Sequence, residues 1–542
     1  MTSNEAEQVF FLGDGLASTT EGGAEAMGFK AYNLARIARI GLPLPPAFVL
    51  GTRFCRDYFS RGERLAPGFR ELMAANIRRL ELLSRLNFGG ERRPLLVSVR
   101  SGAPVSMPGM METILNIGLC DGALRGVLRL TGNPHLVWDC YRRLAQSFAE
   151  VVYGCPAEPF ESALAEHMRK QSVEHPQELD FQSLAELTRE YLKLFHSLTG
   201  KDFPQNPLDQ LEQAVAAVFQ SWNSPKAVEY RQLNQLDHMV GTAVTVQRMV
   251  FGNSGGNSGA GVAFTRDPAT GENNPYLDFL ANAQGEDIAS GRHLAQDPEQ
   301  LMRAMPGAYQ EILNVRQALE REFRDAQEFE FTIQEGQLFI LQTRAAKRTP
   351  FAALRIAVEQ VHEGLIEREE ALARLKDYNL DSIKQTRLTD GAEVVVLATA
   401  TPASQGVAVG EIALNALTAQ QRAAAGRPVI LVRRETSTSD IAGIAVAQGI
   451  LTALGGRTSH AAVIARQMNK VCLVGCPSLI VDLTNRRCAI GEKWFNEGES
   501  IGLDSDTGRV LDGKVEIIHE RPSAYLAEVA KWSAATPDRY EY

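Results

Sequence analysis

The spacing of apolar residues changes several times along this 542-residue chain, and these changes constrain its fold more than any single motif. Alternating apolar runs, which are typical of strands, recur in residues 241–345 and 394–515, whereas residues 121–240 and 349–393 show helical spacing. The chain is about three to four times the usual domain length, so more than one core is expected. The pattern predicts a multidomain α/β (α+β) protein in which a helical linker precedes a small strand-rich domain.

Composition and charge exclude several classes of protein. Hydrophobic residues make up 44% of the chain and charged residues 22%, as in ordinary globular proteins, which excludes a collagen, a disordered tail and a disulfide scaffold. The formal net charge is −9, which argues against a nucleic-acid or anionic-membrane partner. An acidic protein that handles a polyanion needs metal ions and a few well-placed cations.

Targeting signals and cysteine spacing indicate the compartment. The N-terminus lacks the basic and then apolar segments of a signal peptide, and the most apolar stretch, residues 441–456, is too short and too interrupted to span a bilayer. The seven cysteines are scattered without a C-x-x-C pair, so we expect small buried thiols in a reducing environment. These features predict a cytoplasmic protein.

The sharpest local motif surrounds His460. An apolar strand, GILTAL, runs into Gly455-Gly456, then into the capping residues Thr458 and Ser459, and then into an Ala-rich helix. His460 is therefore expected in the first turn of that helix, where free backbone N–H groups and the helix dipole stabilise negative charge. A neutral imidazole at this position could carry a phosphoryl group. Ordinary capping or packing is the alternative interpretation.

Two acidic side chains share one face of a predicted hairpin. The alternating run FEFTIQEGQLFILQTR is expected to turn at Glu335-Gly336. Glu328 and Glu330 are two residues apart on the first strand, so their carboxylates point the same way, as a divalent metal between protein and triphosphate would require. Gln342 and Arg344 alternate likewise on the second strand. A solvated strand face is the alternative.

Three further features could contact phosphate. The Gly/Ser/Asn run at residues 251–272 is pliable enough for its backbone N–H groups to approach a phosphate chain. It matches neither the P-loop nor the dinucleotide-binding pattern, so a mobile surface hairpin is the alternative. Lys30 follows Gly28-Phe29 at a helix start, and Arg100 ends a buried strand. Each could neutralise phosphate oxygens, and each could equally be an ordinary surface charge.

Several of these motifs lie in longer segments that share one resemblance. The segments include SVRSGAPVSMPGMMETILNIGL, GTAVTVQRMVFGNSGGNSGAGVAFTRDPATGE, EFTIQEGQLFILQTRAAKR and GILTALGGRTSHAAVIARQMNKVCLVGC, and with two shorter ones they extend over nearly the whole chain. In these segments the chain resembles the pyruvate phosphate dikinase and phosphoenolpyruvate synthase group. The resemblance implies an ATP-grasp nucleotide-binding domain with a helical insert and a swivelling β/β/α phosphohistidine domain, with ATP as substrate and Mg²⁺ as cofactor.

The resemblance also implies domain boundaries and a role for each candidate residue. The expected parts are 1–348 with its mainly helical region 121–240, a helical linker 349–393, the phosphohistidine domain 394–515, and a C-terminal helix and tail 516–542. By position, Lys30 and Arg100 match phosphate-binding cations, His460 matches the phosphoryl-carrying histidine, and Glu330, with Glu328 beside it, matches the metal-binding carboxylate. The other matches are Gln342 and Arg344 in the LQTR motif, Glu286 as a nucleotide-site carboxylate, Gln247 on the strand lining the nucleotide pocket, and Thr458, a regulatory phosphorylation site in plant members.

The chain departs from the family pattern at three places. The family's G-G-K-G-A-N-L reads G-F-K-A-Y-N-L here, and the bulky Phe29 and Tyr32 affect how closely the backbone approaches a triphosphate. Glu328 stands where the family usually has Asp, which lengthens that ligand by one methylene. The family's C-terminal pyruvate- and phosphoenolpyruvate-binding barrel has no counterpart in the 542 residues.

Three functions are compatible with these observations. The first is a phosphotransferase in which ATP gives its β-phosphoryl group to His460, AMP leaves, and phosphate or water takes the γ-phosphoryl group. The acceptor would be bound by a partner subunit or by a cleft of this chain, and the protein could be a homo-oligomer. The second is a non-catalytic nucleotide-binding regulatory or assembly protein, favoured by Phe29 and Tyr32. The third is a self-sufficient kinase for an antibiotic or metabolite, for which only residues 121–240 offer space.

Overall fold

The structure is a computed structural model that describes residues 8–13, 23–105, 107, 110–174, 176–289, 298–389, 394–513 and 515–535. The chain divides into two compact units: the first comprises Met1–Gly255 and Phe339–Thr343, and the second comprises Gly256–Leu338 and Arg344–Tyr542. Each unit mixes helices and strands, which confirms the predicted mixed α/β class. The domain boundaries implied by the resemblance remain predictions.

An antiparallel sheet organises the first unit. Its strands are β1 (Val9–Leu12), β2 (Ala47–Leu50), β3 (Asn87–Phe88), β4 (Pro94–Leu95), β5 (Val97–Gly102), β6 (Thr113–Ile117) and β7 (Ala243–Arg248). Five of them form one sheet in the order β1-β2-β7-β5-β6, and β3 and β4 form a short parallel pair. All four residues of β2 are buried, because elements cover both faces of the sheet there.

Helices make up most of the remainder of the first unit. They are α1 (Gly23–Met27), α2 (Phe29–Arg39), α3 (Thr52–Ser60), α4 (Phe69–Ser84), α5 (Asp121–Thr131), α6 (Pro134–Tyr153), α7 (Glu158–Gln171), α8 (Phe181–Thr199), α9 (Pro207–Ser221) and α10 (Pro225–Leu233). The last six confirm the helical region predicted from the sequence. Four of them begin at a side chain that accepts a backbone N–H bond, a capping signal readable from sequence: Asn133, Asp180, Asn206 and Ser224.

The second unit begins with a four-stranded sheet. Its strands are β8 (Gly259–Phe264), β9 (Tyr276–Ala281), β10 (Gln327–Gln334) and β11 (Gln337–Ala345), in the order β11-β10-β8-β9. The predicted hairpin turn is confirmed, because Glu335 and Gly336 have φ values of 51° and 82°. Two consecutive left-handed residues are typical of the tight turn that matches strand twist.

Six α-helices in the described part of the second unit lie outside residues 394–513. They are α11 (Gly285–Ala289), α12 (Pro298–Ala304), α13 (Pro306–Phe323), α14 (Pro350–His362), α15 (Arg368–Leu375) and, near the C-terminus, α19 (Ser523–Ala535). The sequence predicted a solvated linker over residues 349–393. Helices are present there, but one face is not solvated: Leu354, Val358 and Leu375 pack in an apolar cluster with Val529 and Trp532 of α19.

Residues 394–513 form a layered α/β structure. The strands from the linker onward are β12 (Gln385–Leu388), β13 (Val396–Thr399), β14 (Thr401–Pro402), β15 (Val407–Ala413), β16 (Val429–Arg433), β17 (Gly449–Thr452), β18 (Val471–Val474), β19 (Leu479–Asp482), β20 (Arg487–Ile490), β21 (Lys493–Asn496), β22 (Ser500–Asp504), β23 (Arg509–Asp512) and β24 (Ile517–Glu520). The helices are α16 (Ala416–Ala424), α17 (Ile441–Val446) and α18 (His460–Gln467).

An eight-stranded sheet lies at the centre of this layered structure, in the order β13-β23-β22-β15-β16-β17-β18-β14. Strands β15 to β18 are parallel to one another, and their residues are apolar on both faces. One face packs on α16, α17 and α18 through small residues such as Ala419 and Ala462. The other face packs on the three-stranded sheet β19-β20-β21. Residues 394–513 therefore have helices on one face of the large sheet and a second sheet on the other.

Cysteine burial agrees with the sequence. All seven thiols are free, and six are buried, with Cys155 partly exposed. Burial raises the pKa of Cys55, Cys472 and Cys488 to about 12, so these thiols are protonated and unreactive at neutral pH. Within the described ranges, no helix combines the length and the apolar composition that crossing a membrane requires.

Candidate functional site

The start of helix α2 positions Lys30. Gly28, which precedes the helix, has a φ of 77°, and a Cβ atom there would lie 2.0 Å from the carbonyl oxygen of Gly102. The backbone N–H of Phe29 donates to the carbonyl oxygen of Ala103 over 2.8 Å. Only glycine allows this approach, so the helix that carries half-buried Lys30 is fixed against the end of β5.

Arg100 and Gln247 lie on neighbouring strands of the same sheet. Gln247 on β7 is paired with Ser98, two residues before Arg100 on β5, so both predicted site residues face the same side of the sheet. Arg100 Nη1 donates to the carbonyl oxygen of Leu341 over 3.4 Å, and Gln247 Nε2 donates to that of Pro45 over 3.1 Å. The first unit therefore places Arg100 and Gln247 on one side of one sheet, and Lys30 on the helix that contacts the end of β5.

The carboxylates and the guanidinium of the hairpin lie in the second unit. Arg344 Nη2 donates to Glu328 Oε1, and Glu328 is 6% exposed whereas Glu330 is partly exposed. Burial opposes the charge of Arg344, but the carboxylates of Glu328 and Glu330 outweigh it and raise the pKa of the guanidinium. Arg344 is thus permanently charged, and Glu328 already has a cationic partner. Gln342, 8% exposed, belongs to the part of β11 that lies in the first unit.

The donor set fits a cation shared with a substrate better than a cation held by protein alone. Among the described residues no group of three or more His, Cys, Asp or Glu side chains is arranged to hold a metal ion. Mg²⁺ bound together with a nucleotide uses only one or two carboxylates and takes its other ligands from phosphate and water. Glu330, with Glu328 beside it, fits that pattern.

Two predicted features are only partly described. Glu286 lies in α11, and its side chain is outside the described residues. The Gly-rich segment precedes β8, and its start is held by a hydrogen bond of 3.1 Å from Asn133 Nδ2, at the N-cap of α6, to the carbonyl oxygen of Asn253. The role of this segment in phosphate binding stays a prediction.

His460 is the first residue of α18, as the sequence predicted. Strand β17 leads into a loop in which Gly455 has a φ of 111°, and Ser459 then serves as the N-cap without a side-chain capping bond. Within the part of the chain that the structure describes, His460 Nε2 and Ser459 Oγ are buried and make no hydrogen bond. This ring nitrogen lies beside the free N–H groups of a first helical turn, which stabilise negative charge.

Asp278 holds the loop before His460, and sequence reasoning missed it. Its Oδ2 accepts hydrogen bonds from the backbone N–H and the hydroxyl of Thr458, at 2.8 and 3.1 Å. Burial raises the pKa of Asp278, although Arg457 and Thr458 oppose this shift. The only available signal was a charged residue within the apolar run YLDFLA of strand β9.

Two arginines complete this environment. The guanidinium of Arg457 lies 5.0 Å from the ring centroid of Tyr276. Arg466 is 1% exposed, and its Nη1 donates to the carbonyl oxygens of Ala403 and Arg457 at 2.9 and 2.8 Å. Arg466 therefore fixes the backbone just before Thr458, so the loop is held from both sides.

Comparisons with known proteins find two family matches in this chain. Residues 69–303 match the family described as pyruvate phosphate dikinase, AMP/ATP-binding domain, and residues 425–508 match the PEP-utilising enzyme, mobile domain. In these two ranges the chain is similar to the pyruvate phosphate dikinase group. The second match contains His460 and strands β16 to β22, and the first contains Arg100, Gln247 and Glu286.

Pyruvate phosphate dikinases from several organisms are similar over most of the chain. The protein from Clostridium symbiosum is 42% identical over 510 residues, which is 94% of this chain and 58% of the relative. That from Rhizobium meliloti is 40% identical over 98% of this chain and 60% of the relative, and the chloroplastic protein 1 from Arabidopsis thaliana is 40% identical over 98% and 55%. The chain thus spans between half and two thirds of the length of these dikinases.

Proposed function

We propose that this chain is an ATP-dependent phosphotransferase that forms phosphohistidine at His460. The observation that carries the proposal is the position of His460 at the first residue of α18, with Nε2 making no hydrogen bond to any described residue. A phosphoryl group on Nε2 would find donors in the free N–H groups of the helix start.

The nucleotide side of the proposal is an ATP-grasp site. Lys30, Arg100 and Arg344 would offset the charge of the phosphate oxygens, which is most of the catalytic task in phosphoryl transfer. Glu330 and Glu328 would hold Mg²⁺, which would offset the charge of the phosphate oxygens. Gln247, Glu286 and Gln342 would contact the nucleotide. A swivelling motion of residues 394–515 would bring His460 to the phosphates.

The proposed reaction follows that of the family. His460 Nε2 attacks the β-phosphorus of ATP, the bond from that phosphorus to the oxygen bridging to the α-phosphorus breaks, and AMP leaves. The γ-phosphoryl group then passes to phosphate or water, which leaves the β-phosphoryl group on Nε2. The same nitrogen hands the group to an acceptor held by a partner subunit or a cleft.

Labelled ATP tests this reaction directly. The protein is incubated with Mg²⁺, phosphate and either β- or γ-labelled ATP, and label on the protein is measured before and after mild acid. We expect acid-labile label from the β-position only and none on His460→Ala. His519→Ala, which removes an exposed histidine on β24, should label like the parent. Label retained by His460→Ala would exclude the proposal.

A second experiment separates catalysis from nucleotide binding alone. AMP release is measured with and without cell extract as a source of acceptor. Turnover that depends on His460 supports the phosphotransferase. ATP binding without AMP formation under either condition would contradict the phosphotransferase.

A further inference from the structure

A cavity in the first unit lies apart from the residues assigned to ATP. It has a volume of about 290 Å³. Its lining comes from Gln8, α3, the connection between α3 and α4, the start of α4 and the end of α9, and includes none of Lys30, Arg100 or Gln247. Because side chains alternate along β5, Val97 and Val99 face away from the side to which Arg100 points. Both valines share an apolar cluster with Phe219, which lines the cavity. The cavity therefore lies on the face of the sheet opposite to Arg100.

Aromatic rings form the walls of this cavity. Phe54 and Phe69 meet edge to face with ring centroids 6.4 Å apart, and Tyr58 and Phe219 are 5.6 Å apart. Each ring is held by another ring, so the walls are preorganised. Walls of this kind bind a flat aromatic body by offset stacking and by removing its apolar surface from water.

The mouth of the cavity has an excess of positive charge. Arg53 and Arg56 share the carboxylate of Asp57 at 3.9 Å, and Arg53, Asp57 and Arg61 line the cavity. Arg61 is exposed and forms no ion pair with any described residue. A ligand with one negative group at its edge would find in Arg61 a partner able to bind a carboxylate with two hydrogen bonds.

We propose that this cavity binds a small aromatic carboxylate of one or two fused rings, with the rings between the four aromatic walls and the carboxylate at Arg61. The volume, about 290 Å³, lies near the lower limit for ligand pockets and therefore suits a small ligand. The cavity does not depend on the proposed phosphotransfer, because none of the residues that line it is assigned to ATP binding or to phosphoryl transfer.

The test uses 2-naphthoate as the probe and isothermal titration calorimetry of the full chain. A ligand of about 13 non-hydrogen atoms is expected to bind with a Kd of about 1 mM or lower. Neutral 2-naphthamide should bind at least fivefold more weakly. Arg61→Glu should lower the affinity for 2-naphthoate at least tenfold. Arg64→Glu makes the same charge change on an exposed residue outside the cavity and should change this affinity less than twofold.

A cavity-filling variant locates the site. Ala66 lines the cavity and is half-buried, so Ala66→Trp should abolish binding of both probes while circular dichroism and Tm report the fold. Three results would overturn the proposal: no saturable binding to the parent, equal losses in Arg61→Glu and Arg64→Glu, or unchanged affinity in folded Ala66→Trp. The two arginine variants decide the question if Ala66→Trp does not fold.

Discussion

At the residue scale, the important side chains around His460 are buried charges rather than exposed ones. Asp278 is 4% exposed and Arg466 is 1% exposed, and together they hold the peptide group between Arg457 and Thr458. A buried charge depends on the few hydrogen bonds open to it, so it restrains the backbone that supplies them. This arrangement gives the loop before His460 one conformation.

Asp278→Asn should make stability less dependent on pH. Because burial raises the pKa of Asp278 above its ordinary value of 3.8, the wild-type protein loses stability as the pH rises through the window between those two pKa values. Asn keeps an oxygen that accepts from Thr458 and never ionises. Measured by differential scanning calorimetry, the Tm of Asp278→Asn relative to wild type should therefore increase from pH 4 to pH 7.

Asp381→Asn is the matched control for this experiment, because Asp381 is an exposed acid whose side chain is 97% accessible. Its Tm difference from wild type should be small and flat over the same range. A flat difference for Asp278→Asn as well would mean that the buried carboxyl does not change its protonation on folding.

Arg344→Met should destabilise the second unit by about 2 kcal/mol, because it leaves the buried Glu328 carboxylate without its partner. Adding Glu328→Gln should recover at least half of that loss, since a neutral amide requires no cation. Urea titration of the two variants and the parent measures both steps. A double variant no more stable than Arg344→Met would show that the loss comes from packing of the arginine stem.

At the element scale, the start of α2 is set by one backbone contact with the end of β5. Gly28→Ala places a methyl group against the Gly102 carbonyl oxygen, so the helix and Lys30 must move. If Lys30 binds phosphate as proposed, the affinity for a non-hydrolysable ATP analogue should fall at least tenfold, as measured by titration calorimetry.

Gly41→Ala is the control for Gly28→Ala. Its φ of 76° is nearly that of Gly28, but no atom lies within 4 Å of the added Cβ. In both variants an alanine must adopt a positive φ, which costs about 1 kcal/mol. Only in Gly28→Ala does the added methyl group also clash with the Gly102 carbonyl oxygen. Equal nucleotide affinities in the two variants would contradict the assigned role of α2.

At the scale of the whole molecule, the chain buries its apolar residues in several separate clusters. The largest belongs to the first unit, two flank the eight-stranded sheet, and another joins α14 and α15 to α19. Separate cores of this kind are expected to unfold in more than one step. The buried cysteines divide between them: Cys55, Cys120 and Cys140 lie in the first cluster, and Cys472, Cys476 and Cys488 lie beside the large sheet.

Thiol labelling should therefore distinguish the unfolding of the first cluster from that of the clusters beside the eight-stranded sheet. In increasing urea, the two groups of three cysteines should become reactive at different concentrations, as measured by mass spectrometry of labelled peptides. A non-hydrolysable ATP analogue at 100 times its Kd should protect the first group by about 2.7 kcal/mol and leave the second unchanged. Simultaneous exposure of all six thiols would show that the chain unfolds as one cooperative unit.

The sequence predicted some parts of the candidate site and missed others for a physical reason. The placement of His460 at a helix start, and of Glu328 and Glu330 on one strand face, depends on neighbours in sequence, so local patterns predict both correctly. The pairing of Arg344 with Glu328 spans 16 residues and follows from the hairpin register. The Asp278 contact joins residues 180 positions apart, and local spacing contains no information about it.

The sequence by itself determined the element types, the helical region of residues 121–240, the hairpin turn at Glu335-Gly336, and the family resemblance. These depend on backbone preferences and on spacing over a few residues. Only the tertiary structure decided that the linker helices bury one face against α19, that Gly28 must stay glycine because of Gly102, and that Asp278 holds the loop of the histidine. The reason is that burial and hydrogen bonding between distant segments exist only once the chain is folded, and they determine which charges are buried.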